Sequence, residues 1–584
     1  MKMTGAGAVV EALHKEKVSI LFGIPGGVVI PLFDEIYRNG KFKLVVTKHE
    51  QGAIHAADGY ARTTGKAGVC VVTSGPGATN IVTGLATAYM DSIPIVALTG
   101  QVPTAMIGND AFQEADTTGI TRPVTKHNFI VKDPLELPMV LKKAFYIATT
   151  GRPGPVLVDL PKDILTAEID FEYPEKVKIL GYNPTVKGNV RQIKRVMETI
   201  RQAKRPLIYA GGGVISSEAS EDLYAFVKKT GIPVTLTLMG LGAYPAREPE
   251  YLGMLGMHGT KTSNYAVSRC DLLIAIGSRF DDRITGKLSM FAPMAKFIHI
   301  DIDPASISKN VIIDVPIVGD AKHILKEMLK YGEKLDIKEW INEIEGWKAE
   351  HPLTYIRDDD ILRPQFVVEQ IYKVTEGDAI VTTEVGQNQM WTAQFYRFNR
   401  PRQLVTSGGL GTMGYGLPAA IGAQLAHPNA TVFDIAGDGS IQMNIQEMAT
   451  LTQHQLPVKI AILNNGYLGM VRQWQEFFFG RRYAATCLRR DSRCPDNCDK
   501  SGKDCPPYVP DFVKLAEAYY AVGIRIEKKA DVEGVLLEAV KTKKPYLLDF
   551  VVNPEENVTP MVPAGAPIDK MISSKEDAEK FLLA

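Results

Sequence analysis

The sequence predicts an α/β protein built from three doubly wound domains, each with a parallel sheet. Short apolar runs, such as residues 432–436 and 458–463, end directly in glycine or asparagine turns, as buried parallel strands do. Between these two runs apolar residues recur at helical spacing, and a right-handed crossover of that size makes the strands parallel. A chain of 584 residues is long enough for three or four such domains.

The composition is typical of a soluble globular protein and excludes several classes of function. The hydrophobic fraction of 45% and the charged fraction of 23% lie in the usual range for such proteins. Lys and Arg together number 66, as do Asp and Glu, so no net basic field favours nucleic acid or a membrane. There is no signal-peptide pattern and no apolar stretch of about 18 residues. Six cysteines are too few for a secreted disulfide scaffold, so we expect a cytoplasmic protein.

These patterns divide the chain into domains and a tail. We expect a first domain at residues 1–170, a middle domain at 190–335, a third domain at 366–550 with a cysteine-rich insert at 487–507, and a C-terminal arm at 551–584. The charged residues 336–360 predict a helical linker between the middle and third domains.

Two turns of the third domain carry the strongest chemical signal in the chain. A Gly-Asp-Gly turn at 437–439 closes one predicted strand, and an Asn-Asn turn at 464–465 closes the next. Both turns should lie at the same carboxyl edge of the sheet. The Asp438 carboxylate, the Asn465 amide oxygen and the backbone carbonyl near Tyr467 are hard oxygen donors of the kind that Mg²⁺ takes.

The surroundings of these turns favour a phosphate. Gly437 and Gly439 carry no side chain that would keep a phosphate from the backbone, and a helix predicted from near Ser440 directs its amides to the same place. Paired turns of this kind favour a metal–diphosphate site over two ordinary turns. The segments GDGS and LNNGYLGM resemble the diphosphate motif of thiamine-diphosphate enzymes. The resemblance covers nearly the whole chain and narrows to the acetolactate synthase family.

This resemblance implies an activity and a set of cofactors. Pyruvate would be decarboxylated on thiamine diphosphate, and the two-carbon unit would pass to a second pyruvate or to 2-ketobutyrate. The products would be 2-acetolactate or 2-aceto-2-hydroxybutyrate, in the first common step of branched-chain amino acid biosynthesis. The family also implies Mg²⁺, a structural FAD, and a homodimer or homotetramer with active sites between subunits. A separate regulatory small subunit is left open.

The resemblance assigns roles to four residues of the first domain. Glu50 would hydrogen-bond the pyrimidine ring of the cofactor, although by position alone it would only stabilise a helix N-terminus. Phe112 and Gln113 would face the reacting carbon and its hydroxyl, and Lys162 would attract keto-acid carboxylates. Without the resemblance these three are ordinary loop packing and a solvated charge. The predicted cofactor contacts in this domain are Pro25, Gly26 and Glu50.

In the third domain the resemblance adds residues around the two turns. Met413 would support the folded cofactor and Trp474 would select the second substrate, whereas each alone is ordinary core packing. Residues 560–566 resemble the arm that covers the active site in this family. The predicted cofactor contacts here are Gly411, Met413, Gly437, Asp438, Gly439, Ser440, Asn465, Tyr467, Gly469 and Met470.

The middle domain resembles a flavin-binding domain. Its first strand leads into three glycines, but Ser216 stands where a strict GxGxxG motif needs the third glycine. This pattern alone predicts only a doubly wound domain. Segments 253–259, 277–283 and 299–303 resemble FAD-binding segments, and the alternative is a domain that has lost its flavin. The predicted FAD contacts are Arg152, Gly211, Gly212, Gly213, His258, Gly277, Arg279, Asp281, Arg283, Asp301, Ile302, Asp320 and Ala321.

Two alternative functions remain. One is another FAD-retaining thiamine-diphosphate enzyme, of the pyruvate oxidase or glyoxylate carboligase type. Glu50 argues against the carboligase, and Trp474 with Gln113 argues against both. The other is a catalytically idle subunit with a sensing or scaffolding role, against which intact Glu50, Asp438 and Asn465 argue.

The insert at 487–507 departs from the family, in which the chain runs almost directly from the preceding segment into the next helix. Its four cysteines follow the spacing C-x6-C-x3-C-x6-C, which is looser than that of zinc ribbons and matches no common iron–sulfur pattern. A thiolate-bound metal (zinc first), two disulfides and free thiols are the alternatives. The residues concerned are Cys487, Cys494, Cys498 and Cys505.

Overall fold

Three parallel sheets of six strands each form the framework of the protein. The computed structural model describes residues 1–39, 41–357, 359–495, 498 and 505–583. Within this part of the chain, the three sheets follow one another along the sequence, with helices between their strands. The predicted fold class, α/β with three doubly wound parallel-sheet domains, is confirmed. None of the described helices has both the length and the apolar character needed to cross a membrane.

The first sheet has the strand order β3-β2-β4-β5-β7-β6, and β1 pairs separately with β8. The strands are β1 (Lys2–Thr4), β2 (Ile20–Gly23), β3 (Lys43–Val46), β4 (Gly68–Val72), β5 (Ile95–Gln101), β6 (His127–Ile130), β7 (Pro155–Pro161) and β8 (Glu168–Asp170). The helices are α1 (Gly5–Lys15), α2 (Ile30–Asn39), α3 (Glu50–Thr64), α4 (Pro76–Asn80), α5 (Val82–Asp91), α6 (Thr117–Thr121), α7 (Leu137–Thr149) and α8 (Lys162–Thr166).

The second sheet has the strand order β11-β10-β9-β12-β13-β14. The strands are β9 (Pro206–Ala210), β10 (Val234–Leu236), β11 (Tyr251–Met254), β12 (Leu272–Ile276), β13 (Lys296–Asp301) and β14 (Val315–Val318). The helices are α9 (Val190–Gln202), α10 (Gly212–Ser216), α11 (Ser220–Thr230), α12 (Lys261–Arg269), α13 (Asp282–Thr285), α14 (Ala321–Tyr331) and α15 (Lys338–Glu350).

The third sheet has the strand order β16-β15-β17-β18-β20-β19. The strands are β15 (Ile380–Thr383), β16 (Leu404–Val405), β17 (Val432–Gly437), β18 (Lys459–Asn464), β19 (Val522–Ile526) and β20 (Tyr546–Val551). The helices are α16 (Pro364–Val374), α17 (Gln387–Phe395), α18 (Gly416–Ala426), α19 (Glu447–Gln453), α20 (Gly469–Phe478), α21 (Phe512–Ala518), α22 (Val532–Lys541) and α23 (Lys575–Leu583).

Two predicted elements differ from the structure. The helix predicted from near Ser440 is instead a 3₁₀ turn at Ile441–Asn444, and the α-helix begins only at Glu447. Asn444 donates a side-chain hydrogen bond to the Gly414 carbonyl (2.6 Å), and Gln442 donates one to the Asp438 carbonyl (2.9 Å). Such side-chain contacts with nearby backbone favour a tight turn over a regular helix.

The predicted linker is the other difference. Its helix exists as α15, but Trp340, Ile344 and Trp347 are buried against the middle domain. The Trp340 indole also donates a hydrogen bond to the Pro206 carbonyl (3.1 Å). This apolar face at helical spacing makes α15 part of the middle domain rather than a solvated connection.

The first and third domains share one hydrophobic core, because α3 and α18 pack with their backbones in contact. A methyl group added to Gly59 would lie 2.1 Å from the Ala419 carbonyl oxygen, and one on Gly422 would lie 1.9 Å from that of Ala56. Only glycine permits so close an approach. The position of each domain is therefore fixed by the other.

We expect Gly59→Ala to destabilise the protein by about 1–3 kcal/mol, because the new methyl group must push the two helices apart. The control is Gly346→Ala in α15, where no atom lies within 4 Å of the added methyl group. That change should stabilise by about 0.5–1 kcal/mol through helix propensity. Thermal unfolding midpoints at one scan rate compare the two. Equal shifts in both variants would contradict close packing at Gly59.

Candidate active site

The carboxyl ends of β17 and β18 bring the two polar turns of the third domain together. Asp438 Oδ2 accepts a hydrogen bond from the Gly466 backbone N–H (3.1 Å). Asn465 Oδ1 accepts one from the Tyr467 N–H (3.0 Å), and Asn465 Nδ2 donates to Gln387 Oε1 (3.1 Å). The predicted magnesium donors thus lie within one small network at the edge of the sheet.

The chemistry of this donor set fits a metal–diphosphate group. Asp438 is buried, and burial raises the pKa of its carboxyl to about 7. A buried carboxylate is costly unless a cation or several donors compensate it. Methyl groups at Gly469 and Gly439 would lie 2.1 Å from Gln387 Oε1 and 2.7 Å from the Leu468 side chain, so neither position admits a larger residue. The site therefore has the oxygen donors that Mg²⁺ needs.

Glu384, which the sequence analysis did not single out, ties together the segments around the turns. Its Oε2 accepts hydrogen bonds from Ser440 Oγ and the Gly414 N–H (both 2.7 Å), and its Oε1 accepts one from the Leu417 N–H (3.2 Å). Burial raises the pKa of Glu384 to about 7. The sequence does contain a signal for this residue, because Glu384 directly follows β15 and so lies at the same carboxyl edge of the sheet. It positions Ser440 and the turn that carries Met413.

A second group of predicted residues lies at the edge of the first sheet. Glu50 is the first residue of α3, and Asn80 Nδ2 donates a hydrogen bond to its Oε2 (2.9 Å). A methyl group on Gly77 would lie 3.6 Å from Glu50 Oε1, and one on Gly26 would lie 2.5 Å from Thr73 Cβ. The glycine turns after β2 and β4 therefore form a small-residue pocket beside the Glu50 carboxyl.

A glutamate of the third domain holds the segment that carries Glu50. Glu447 Oε1 accepts hydrogen bonds from the backbone N–H groups of Lys48 and His49 (3.0 Å each). A methyl group on Gly52 would lie 2.4 Å from the same oxygen. The sequence offers no local signal for this contact, because the partners are about 400 positions apart. Glu447 thereby orders the start of α3.

The other predicted residues of the first domain lie on exposed loops. Gln113 adopts a positive φ of 59°, and its backbone oxygen lies 2.9 Å from the position of a methyl group on Gly75. The Phe112 side chain is 87% exposed, and Lys162 is exposed at the start of α8. Gln113 therefore lies at the pocket of Glu50, whereas Phe112 and Lys162 face outward.

A cavity of about 1360 Å³ is formed by all three domains and the C-terminal arm. Its walls include many of the predicted residues. Those that line it are Arg152, Gly212, Gly213, His258, Gly277, Arg279, Asp281, Arg283, Asp301, Ile302, Asp320, Ala321, Gly411, Met413, Met470 and Trp474. The predicted residues that do not line it are Pro25, Gly26, Glu50, Phe112, Gln113, Lys162, Gly211, Gly437, Asp438, Gly439, Ser440, Asn465, Tyr467 and Gly469.

The middle-domain end of this cavity fits a dinucleotide. A methyl group on Gly277 would lie 2.6 Å from the Cα of Gly213, so the turns after β9 and β12 approach closely. His258 is buried at the cavity wall, and its Nδ1 has no hydrogen-bond partner among the described residues. Arg152 reaches in from the first domain and pairs with Asp303 (3.3 Å). Such a crevice at the carboxyl ends of parallel strands is where dinucleotides bind.

The third-domain end of the cavity is apolar. Trp474 packs against Phe478, with ring centroids 5.2 Å apart, and shares a cluster with Met561 of the arm. Met413 and Met470 line the same end, and Ala564 brings the arm to the wall. The arm therefore packs beside the predicted substrate-selecting tryptophan.

Comparison with known proteins identifies the family. Three family models for thiamine pyrophosphate enzymes match: the N-terminal TPP binding domain at residues 3–120, the central domain at 193–328 and the C-terminal TPP binding domain at 384–550. The chain is 49% identical to the acetolactate synthase large subunit of Haemophilus influenzae over 99% of both chains. This chain belongs to the acetolactate synthase large-subunit family.

Two further relatives of this family span the same length. The acetolactate synthase isozyme 3 large subunit of Escherichia coli K12 is 47% identical over 98% of this chain and 99% of its own. The probable acetolactate synthase large subunit of Methanocaldococcus jannaschii is 50% identical over 98% of this chain and 95% of its own. The family resemblance is therefore confirmed, and it favours the acetolactate synthase activity over the pyruvate oxidase or glyoxylate carboligase alternative. Thiamine diphosphate is the cofactor of these domains.

The cysteine-rich insert is described only in part, because residues 496, 497 and 499–504 lie outside the described residues. Its four cysteines are described, and all are half-buried thiols. Among the described residues, no three His, Cys, Asp or Glu side chains are placed to hold one metal ion. The Asp438 site, with one carboxylate and otherwise neutral oxygens, is not a group of that kind. The choice among a thiolate-bound metal, two disulfides and free thiols therefore stays a prediction.

Proposed function

We propose that this protein catalyses the acetolactate synthase reaction. It takes a two-carbon unit from pyruvate, with loss of carbon dioxide, and joins it to the carbonyl carbon of a second pyruvate or of 2-ketobutyrate. The observation that carries this proposal is the pairing of the Asp438 and Asn465 turns in a chain of this family. An idle binding subunit would not need the ordered Glu50 segment.

Thiamine diphosphate and Mg²⁺ fit the edge of the third sheet. Asp438, the Asn465 amide oxygen and the Tyr467 carbonyl would hold the Mg²⁺, and Ser440 would face the diphosphate. When bound, thiamine diphosphate supplies a nucleophilic carbon and takes up the electron pair released as carbon dioxide leaves. Met413 would support the cofactor between its two ends.

Glu50 is suited to hold and pass a proton. Asn80 fixes its Oε2, and its Oε1 faces the pocket beside Gly77, where the pyrimidine ring would lie. From there the carboxyl would exchange a proton with a ring nitrogen, which is general acid–base catalysis. Glu447 keeps the start of α3, and so the Glu50 carboxyl, in one orientation.

Each active site is proposed to combine two chains. Glu50, Phe112, Gln113 and Lys162 lie outside the cavity that Trp474 lines. A second copy would bring its Glu50 to this cavity and cover Phe112, which is 87% exposed in the single chain. We therefore assign a homodimer, or a homotetramer of two such dimers. Since the relatives are named large subunits, we also propose a separate small subunit as a partner.

In the combined site, polar residues of one chain would bind the substrates, and apolar residues of the other would favour decarboxylation. The Lys162 ammonium attracts the carboxylate of an incoming keto acid, and Gln113 donates a hydrogen bond to the hydroxyl that forms on the reacting carbon. Met470 and Trp474 form an apolar wall. An apolar wall destabilises the charged substrate carboxylate and so favours its departure as carbon dioxide.

FAD is proposed for the middle-domain end of the cavity. The close approach of Gly213 and Gly277 would admit the dinucleotide, and Arg152 would meet its phosphates. The His258 Nδ1, which no atom in the described part of the chain hydrogen-bonds, is an available donor or acceptor for the flavin. Because the reaction transfers no net electrons, this FAD is structural.

The activity itself is the first test. Purified protein supplied with pyruvate, thiamine diphosphate, Mg²⁺ and FAD should form acetolactate, measured as acetoin after acid treatment. Oxygen-dependent formation of acetyl phosphate and hydrogen peroxide would instead indicate an oxidase. Condensation of glyoxylate with no reaction of pyruvate would indicate a carboligase of the other type, and binding without turnover would indicate an idle subunit.

We expect Glu50→Gln to bind thiamine diphosphate normally but to slow proton exchange at the thiazolium carbon by about two to four powers of ten. The diphosphate anchor lies in another domain, so binding should survive. Hydrogen–deuterium exchange of the bound cofactor measures the rate. Glu136→Gln, on an exposed turn, is the control and should exchange like the unmodified protein. Undiminished exchange in Glu50→Gln would remove this residue from proton transfer.

We expect Trp474→Leu to lower the preference for 2-ketobutyrate over pyruvate by around tenfold. One extra methylene packed against the indole contributes about 1 kcal/mol to discrimination, and leucine offers it less surface. Competition between the two acceptors, with both products quantified, gives the ratio. Phe479→Leu, at a side chain that is 54% exposed near the same helix end, should leave the ratio unchanged. A similar ratio in all three proteins would count against the assignment.

Replacing FAD by a 5-deazaflavin analogue should restore full activity to flavin-free protein, because the flavin fills space and transfers no electrons. Bound analogue is quantified by absorbance before the acetolactate assay. Normal binding with lost activity would mean that the flavin takes part in the chemistry.

A further inference from the structure

Residues 486–489, the first stem of the cysteine-rich insert, pair with the Asn465 turn, which would hold the metal. The Leu468 N–H donates to the Thr486 carbonyl (2.8 Å), and the Leu488 N–H donates to the Gly466 carbonyl (2.9 Å). Tyr467 and Cys487 are therefore opposite each other in an antiparallel bridge. The insert thus starts as a short strand laid along the Asn465 turn.

Side chains of this stem also cover the second turn. The Leu488 side chain lies 3.0 Å from the position of a methyl group on Gly439, which follows Asp438 directly. Arg489 Cδ lies 3.0 Å from the position of one on Gly466. The same stem therefore packs on both turns of the metal–diphosphate site.

Residues 505–508, the second stem of the insert, reach the Asp438 turn through Gln442. The Tyr508 hydroxyl accepts a hydrogen bond from Gln442 Nε2 (3.1 Å). Gln442 Nε2 also donates to the Asp438 backbone carbonyl (2.9 Å). The Tyr508 ring packs on Phe512, with centroids 5.5 Å apart, and this contact fixes the direction of its hydroxyl.

A hydrogen bond joins the two stems to each other. Arg489 Nε donates to the Pro506 carbonyl (3.1 Å). Residues 486–489 and 505–508 therefore form one unit, which contacts the Asn465 turn on one side and, through Gln442, the Asp438 turn on the other.

We propose that the stems of this insert act as a clamp on the metal–diphosphate turns, with Tyr508 as a positioning residue for Asp438. The inference rests on the proposed function, since it assigns Mg²⁺ to Asp438. Tyr508 would not touch the metal. Through Gln442 it holds the turn that carries the carboxylate. Partners that hold metal ligands in place affect metal affinity almost as strongly as the ligands do.

Tyr508→Phe tests the proposal, because it removes the hydroxyl and keeps the ring on Phe512. Isothermal titration calorimetry of Mg²⁺ into protein in the presence of a fixed excess of thiamine diphosphate should show an apparent Mg²⁺ affinity lower by about tenfold or more. At saturating Mg²⁺, kcat of this variant should be lowered by a smaller factor than its Mg²⁺ affinity. KM for pyruvate should stay the same. Tyr520→Phe, at a tyrosine that is 93% exposed after α21, is the control and should match the unmodified protein.

A second variant tests the clamp without changing a metal ligand. Arg489→Met keeps the length of the side chain and removes the donor to Pro506, so Mg²⁺ affinity should fall in the same direction by a smaller factor. Circular dichroism and FAD content confirm that each variant is folded. Mg²⁺ affinity within twofold of the unmodified protein in folded Tyr508→Phe would overturn the proposal. Binding of thiamine diphosphate to unmodified protein independently of Mg²⁺ would instead contradict the proposed function, on which this inference rests.

Discussion

One buried carboxylate, Asp438, sets the requirements that the third domain meets. A parallel sheet places the ends of β17 and β18 side by side, and only there can the Gly-Asp-Gly turn reach the Asn-Asn turn. Keeping a carboxylate in so dry a place requires donors around it and, by our proposal, a cation on it. The Gly466 backbone N–H donates to the carboxylate, and Gln442, which also contacts Tyr508, holds the backbone of the same turn.

The same logic extends to the domain contacts. Arg62 bridges Asp58 and Asp91 in a buried cluster, and Asp91 in turn accepts hydrogen bonds from the backbone N–H groups of Gly408 and Gly409 (3.0 and 2.7 Å). These charged residues of the first domain thus hold the loop that leads to Met413 in the third domain. Glu447 of the third domain in turn holds the start of α3 in the first, so the two domains position each other's sheet edges.

The sequence predicted the sheets well because buried parallel strands are apolar throughout and end at glycine or asparagine. The strand predicted at 432–436 is Val432–Gly437, and its neighbour at 458–463 is Lys459–Asn464. Helices were harder, since charges in α15 hid its apolar face and local hydrogen bonds changed the segment after Ser440. Glu447 and Tyr508 were missed because their roles depend on partners far away in the sequence. Motif reading finds residues at strand ends, but it does not find the side chains that hold those ends in place.

The shared core of the first and third domains has a consequence for how the chain is made. Helix α3 is complete once about a tenth of the chain has been synthesised, but its apolar face packs on α18, at residues 416–426. During translation that face stays uncovered while some 350 further residues are added, at roughly 5–20 residues per second. Exposed apolar surface of this kind is what chaperones bind and what aggregates at high expression. The yield of folded protein should therefore depend on translation speed and on chaperone supply more than on the stability of any single domain.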